Sequence, residues 1–211
     1  MDGVVIATEA IHSMATSRER AMFIKLDMAK AYDRVKWSFL KSILLSFGFS
    51  SDWLSWTMSY VTSASFSILI NGQPSQLFGA SWGLLQGDPL SPYLFIIMAE
   101  GLGRKIKYQV SENAIQGWWW GNDLPSLSHL QFVDDFALAG LARIKEAEAF
   151  RHALDIYLAA SGLKVNEHKS SIYFFNTPDS IQHRIVGILR FQIGSLPLTY
   201  LGIPIVVSRK P

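Results

Sequence analysis

A chain of 211 residues that is 49% hydrophobic and only 17% charged can bury a sizeable core, which excludes disorder and allows one or two domains. It contains no cysteine, which excludes a disulfide scaffold and thiolate metal sites and fits a reducing compartment. A formal charge of +2 is too small for bulk charge to announce a polyanionic partner.

Taken in order, Val4 to Met14 carries its apolar residues on one face and is predicted to be a helix. Ala21 to Leu26 is a short apolar run, predicted to be a buried strand ending at Asp27. Lys36 to Phe47 is a helix stopped by Gly48, and Ser51 to Val61 is another, with Ser51 and Asp52 as candidate caps. Ser65 to Ile70 and Gln76 to Phe78 flank Asn71-Gly72, a strong hairpin indicator. Pro89 to Lys107 is a long helix with Pro89 and Pro92 near its start. Leu130, Phe132 and then Phe136, Leu138 are two short strands, with Asp134-Asp135 as the tight turn between them. Arg143 to Ala160 is a helix ended by Gly162. Lys164-Val165 and Ser171 to Phe175 are strands, Ser180 to Leu189 a last helix, and Tyr200 to Val206 mostly extended. Strands and helices mix without strict alternation, which favours an α+β sandwich with an antiparallel sheet. No apolar run reaches bilayer length, and no charged start with an apolar stretch follows Met1, so neither a membrane span nor a signal peptide is predicted.

Three segments carry chemistry. The hairpin around Asp134-Asp135 has apolar residues on both flanks, where a merely solvated turn would be polar, and it suits oxygen coordination of a divalent cation. Asp27 ends an apolar strand, where an unpaired charge is costly. Two readings of it stand: a metal ligand at a sheet edge, or an N-cap for the turn at Ala29 to Tyr32. Three carboxylates without metal would raise one another's pKa. Two Mg²⁺ ions about 4 Å apart could activate a 3′-hydroxyl and stabilise a leaving pyrophosphate. The third segment runs from Trp82-Gly83 through Gln86-Gly87-Asp88-Pro89 to Ser91-Pro92, an open loop leading into a helix. It is either an ordinary helix entry or a surface that approaches a base or sugar closely.

In this order the three segments resemble the reverse transcriptase of non-LTR (LINE-type) retrotransposons, most closely those of plants, from Asp2 to about Arg209. The resemblance implies a polymerase palm, an antiparallel ferredoxin-like sheet backed by helices. It implies RNA-directed DNA polymerase activity on an RNA template, a DNA primer and deoxynucleoside triphosphates, with two Mg²⁺ ions or Mn²⁺ as cofactor. It makes Asp27, Asp134 and Asp135 the metal ligands and Tyr32 an aromatic gate against the 2′-hydroxyl. Gly83, Gln86, Gly87, Pro89, Ser91 and Pro92 match the template- and nucleotide-contacting loop. Gly162 to Asn166 with Lys169 resembles the next motif, where the lysine lies near the phosphates; a plain surface lysine is the other reading. Tyr200, Leu201 and Gly202 resemble the element that grips the primer end.

Departures from the family pattern carry expectations of their own. Basic residues usual in the family are replaced by Trp82 and Leu85, which should weaken the grip on phosphates. Val133 replaces alanine and fits a buried strand. In Gly117-Trp118-Trp119-Trp120-Gly121, alternation puts Trp118 and Trp120 on one face, for packing or for stacking on bases. By the resemblance, fingers motifs precede Met1 and a thumb follows Pro211, so residues 1–211 are expected to be a palm-centred fragment that polymerises poorly alone. A nuclear or cytoplasmic location is expected. The competing class is a catalytically silent relic or a nucleic-acid-binding remnant; a nucleotidyl cyclase is disfavoured by Gln86-Gly87 and Tyr32.

Overall fold

Helix α1, Asp2–Thr16, has the one-sided apolar pattern expected of it, and Ala7, Ile11 and Met14 are fully buried. The structure, a computed structural model, describes residues 2–120 and 125–207. After α1 come β1 (Ala21–Asp27), a short 3₁₀ turn (Tyr32–Arg34), α2 (Trp37–Ser46) and α3 (Ser51–Thr62). Four two-residue strands follow: β2 (Ser65–Phe66), β3 (Leu69–Ile70), β4 (Gln73–Pro74) and β5 (Phe78–Gly79). Then come α4 (Ser91–Ser111), β6 (His129–Phe132), β7 (Asp135–Leu141), α5 (Ile144–Ser161) and β8 (Ser171–Phe175). The chain closes with α6 (Asp179–Leu189), β9 (Gln192–Ile193), β10 (Leu198–Tyr200) and β11 (Ile203–Ile205). It divides into two compact units. One comprises Met1–Ala29, Leu102–Ile156 and Val165–Pro211; the other Lys30–Gly101 and Tyr157–Lys164.

The first unit is built on a five-stranded sheet in the order β6-β7-β1-β8-β9. β1 is central because it is apolar on both faces: Ala21, Met22, Phe23, Ile24 and Leu26 are all fully buried. Ala21 and Phe23 face α1 together with Ala137, Ala139, Phe175 and Trp118, and the β10–β11 hairpin adds Leu198, Tyr200 and Ile205. The sheet is antiparallel except at one place, since β8 and β9 pair in parallel across α6. Residues Tyr200 to Val206 are not one extended run. They belong to a hairpin that turns at Leu201-Gly202, both with positive φ. Lys164-Val165 is not a strand either; Val165 makes a single bridge with Met28.

Glu146, in the first turn of α5, sits under this sheet and is 3% exposed. Its carboxylate accepts the Gly117 N–H at 3.0 Å. Burial pushes its pKa up to about 7, while the backbone hydrogen bonds of Gly117, Leu141 and Gln116 and the charge of Arg143 pull the other way. Gly140 lies directly over that carboxylate, where an added Cβ would collide with it. Trp118 packs in the core, pairs with Leu127 and donates its ring N–H to Ser13, so the packing reading holds for it. Trp119 is exposed, and Gly121 lies outside the described residues.

In the second unit α2 and α3 bury Leu40, Ile43, Leu44, Leu54 and Val61. Ser50, rather than Ser51 or Asp52, caps α3, its hydroxyl accepting the Trp53 N–H at 3.3 Å. The Asn71-Gly72 hairpin forms as predicted, both residues having positive φ, but the return strand starts at Gln73 rather than Gln76. Helix α4 begins at Ser91, two residues after Pro89. No helix among the described residues is long and apolar enough to cross a membrane.

Candidate active site

The ladder between β1 and β7 runs from Ala21 opposite Leu141 to Asp27 opposite Asp135. Directly opposed residues of an antiparallel pair lie about 4.5–5.5 Å apart at Cα with side chains on the same face. One further residue step of about 3.8 Å keeps Asp27 and Asp134 within roughly 9 Å at Cα. Asp27 therefore meets Asp134 and Asp135, although more than a hundred residues separate it from them in sequence. Their place differs from a sheet edge: β1 is the middle strand, and they sit at its end.

The turn also differs by one residue from the expectation. Phe132 pairs with Asp135, so the turn residues are Val133 and Asp134, and Asp135 begins β7. Val133 is thus not in a buried strand but at φ 53°, a conformation that strains a β-branched side chain. The strain falls beside Asp134, which is exposed at the hairpin tip.

Burial first, and then the charge of Asp134, raises the Asp135 carboxyl above its ordinary value; Lys25 pulls it down and Asp27 pushes it up. Asp135 therefore feels the charge of both other aspartates. Among the described residues no three acidic, cysteine or histidine side chains already stand at metal-binding spacing. The donor set nevertheless fits a hard divalent cation, being made only of carboxylate oxygens whose repulsion such an ion would relieve.

Two supporting residues are not legible in the motifs. Ser170 is fully buried, and its hydroxyl accepts the Asp27 N–H at 3.0 Å. Lys25, two residues before Asp27 on the same face of β1, donates to the Thr199 carbonyl at 2.7 Å. The Lys169 segment is tied to the same strand end, since the Asn166 N–H donates to the Asp27 carbonyl at 2.8 Å. Lys169 itself is exposed. Tyr200 does not offer its ring outward. It is 1% exposed, packs edge-on to Phe23, and has its pKa pushed up to about 12 by burial and by the charge of Asp135. Of the primer-contacting group predicted, only the turn at Leu201 and Gly202 is accessible.

In the second unit the predicted loop folds against Tyr32. The Leu84 N–H donates to the Tyr32 carbonyl and the Gly83 N–H to the Val35 carbonyl, both at 2.8 Å. Gly83 is required there: its φ is 91°, and a Cβ would press on the backbone oxygens of Asp33 and Tyr32 at 3.2 and 3.3 Å. Gln86 donates to Asp33 at 3.1 Å, and the Tyr32 ring stacks on Phe95 with centroids 5.0 Å apart. Gln86, Gly87 and Pro89 are exposed. Ser91 is buried and gives its N–H and hydroxyl to Asp88, each at 2.8 Å, so it builds the loop rather than facing outward. Asp88, which also accepts from the Tyr60 hydroxyl, is a third supporting residue to which the motif assigns no role. A cavity of about 430 Å³ lies beside the loop, walled by Asp33, Tyr60, Phe66, Phe78 and Asp88. Trp82, 64% exposed, and Leu85, 46% exposed, also line it and add apolar surface where the resemblance leads one to expect basic residues.

A mixed sheet covered by helices, with carboxylates at the end of its central strand, defines a polymerase palm. The fold matches that of telomerase from Candida albicans, solved with a fragment of telomeric RNA, over 97% of this chain and 32% of that one, with a TM-score of 0.66 and 14% identity. Residues 2–205 match the family model for reverse transcriptase (RNA-dependent DNA polymerase), and the chain belongs to that family. Relatives include an uncharacterized mitochondrial protein of Arabidopsis thaliana, 42% identical over 71 residues, which cover 34% of this chain and 58% of that protein. The Pol polyprotein of a type-2 retrotransposable element of Drosophila melanogaster is 26% identical over 170 residues, covering 81% of this chain and 15% of that polyprotein. The chain thus spans only part of each of these relatives.

Proposed function

We propose that the chain is the palm of an RNA-directed DNA polymerase from a retrotransposon of plant LINE type, acting on an RNA template, a DNA primer and deoxynucleoside triphosphates. The observation that carries the proposal is the register that sets Asp27 opposite Asp135, beside Asp134. These three residues would hold Mg²⁺ or Mn²⁺, which when bound activates a primer hydroxyl and stabilises the departing pyrophosphate. Ser170 fixes the backbone of Asp27, and Lys25 tempers the charge of the cluster. Tyr32, held by Phe95, is assigned to exclude the 2′-hydroxyl, and Gln86 and Gly87 to meet template or nucleotide. Leu201 and Gly202 are assigned to the primer and Lys169 to the phosphates. The plant retrotransposon assignment is supported by the kinds of relatives matched.

The test is extension of a DNA primer on an RNA template. Incorporation of deoxynucleotides should require Mg²⁺, vanish in Asp134→Ala, and lose its preference over ribonucleotides in Tyr32→Ala. Extension that survives Asp134→Ala would refute the assignment. One observation favours a catalytically silent descendant, namely the apolar Trp82 and Leu85 on the loop. In that case Mg²⁺-dependent extension is absent from the starting protein as well.

A further inference from the structure

At the opposite end of β1 from the aspartates, four of the chain's nine arginines converge on one pocket of about 460 Å³. Arg18 and Arg20 come from the loop between α1 and β1, Arg143 from the approach to α5, and Arg184 from α6. The site is built by the fold. The Ala142 N–H donates to the Arg20 carbonyl at 3.0 Å, which carries the β1–β7 pairing one step past Ala21 and Leu141. Ile181 lies one turn before Arg184 on α6 and lines the same pocket. Asn176 donates to the Ser17 carbonyl at 2.7 Å and holds the arginine-bearing loop in place.

Among the described residues none of these arginines forms an ion pair; Arg143 donates to the neutral Gln116 at 3.1 Å. Glu19 is the one carboxylate on the wall, so four positive charges less one leave three. Guanidinium groups remain charged at any working pH and grip phosphate oxygens as a two-pronged fork. Four of them massed around a single carboxylate leave a net positive charge that an anion would neutralise. All four are exposed. A small free polyphosphate would leave most of its surface in water there, whereas a strand can lay successive phosphates across the mouth. Six residue steps of about 3.3 Å along β1 set the pocket roughly 20 Å from Asp27, too far to serve the reacting phosphates.

We propose that this arginine pocket is a second nucleic-acid anchor, holding the sugar-phosphate backbone of a single-stranded stretch of RNA away from the site of nucleotide transfer. The proposal rests on reading the chain as a polymerase that handles RNA.

The test measures binding of the purified chain to a fluorescent single-stranded RNA of mixed sequence, without divalent ion, across a series of salt concentrations. Arg18→Gln/Arg184→Gln should bind up to about tenfold more weakly, and its salt slope should shrink by about 1.4, near 0.7 for each phosphate no longer neutralised. The exposed pair Lys41→Gln/Lys107→Gln, on α2 and α4, should keep the slope of the parent. RNA should also shift the backbone amide resonances of Ala142, Ile144 and Ile181 in the parent chain, which decides the matter should the arginine variant fail to fold. An unchanged slope in the arginine variant, equal losses in the lysine pair, or unmoved amides would overturn the proposal. So would inorganic tripolyphosphate binding the pocket while RNA does not. Asp134→Ala should bind RNA like the parent while losing extension, so the failure of one reading is distinguishable from the failure of the other.

Discussion

Asp27 is held by its backbone before its carboxylate does anything. Ser170 accepts the Asp27 N–H, and the Asn166 N–H donates to the Asp27 carbonyl. Removing the hydroxyl in Ser170→Ala strands a part-buried N–H, which costs about 1–3 kcal/mol. The urea midpoint should fall accordingly, and Ser170→Thr should recover part of the loss. Val133 invites the opposite result. Relief of its left-handed strain is worth about 1–2 kcal/mol, and the added chain entropy of glycine takes back about 0.5–1 kcal/mol. Val133→Gly should therefore raise stability, by up to about 1.5 kcal/mol, in equilibrium unfolding. Neither effect is legible in the motif. Two adjacent aspartates suggest the turn because Asp suits turns, but the pairing of Phe132 with Asp135 moves the turn back onto Val133. Ser170 cannot be found by pattern because its partner lies 143 residues away.

Among the elements, the long one-sided helices and the doubly apolar β1 are readable because their periodicity states which faces are buried. The short strands are not. β9 has two residues, and its parallel pairing depends on where α6 returns the chain. The β10–β11 hairpin turns on Leu201, a residue that does not advertise positive φ, so its sequence reads as extended. Helix α5 carries a pH response. The Glu146 carboxyl titrates at about 7 in the folded chain against 4.5 ordinarily. Between those values the folded state binds the proton more tightly than the unfolded state, so the contribution of Glu146 to stability is greatest below about 4.5 and is lost as pH rises through about 7. The loss attributable to Glu146 is of the order of 3 kcal/mol. Glu146→Gln keeps an acceptor for the Gly117 N–H and should flatten that fall, as read from urea unfolding at about pH 5 and pH 8, on either side of the folded value. An equal slope in both proteins would remove Glu146 as its source.

At the scale of the whole molecule, the family is legible from three short segments, because the chemistry of each makes sense only with the others. The pairing of Asp27 with Asp135 gives that reading its physical basis in the first unit. In the second, the loop at Gly83 to Ser91 folds onto the Tyr32 segment, although Ser91 faces inward. The arginine pocket is invisible in sequence, since its residues are scattered from 18 to 184 and the net charge of +2 conceals their clustering. The central claim is that Asp27, Asp134 and Asp135 form a site for divalent cations. Mn²⁺ binding, followed by the loss of the free-ion electron paramagnetic resonance signal, measures it without requiring turnover. The parent chain should bind Mn²⁺ in competition with Mg²⁺, and Asp27→Asn and Asp134→Asn should each weaken binding at least tenfold while remaining folded. Binding of equal strength in the parent and both variants, or no binding by the parent at millimolar Mn²⁺, would contradict it.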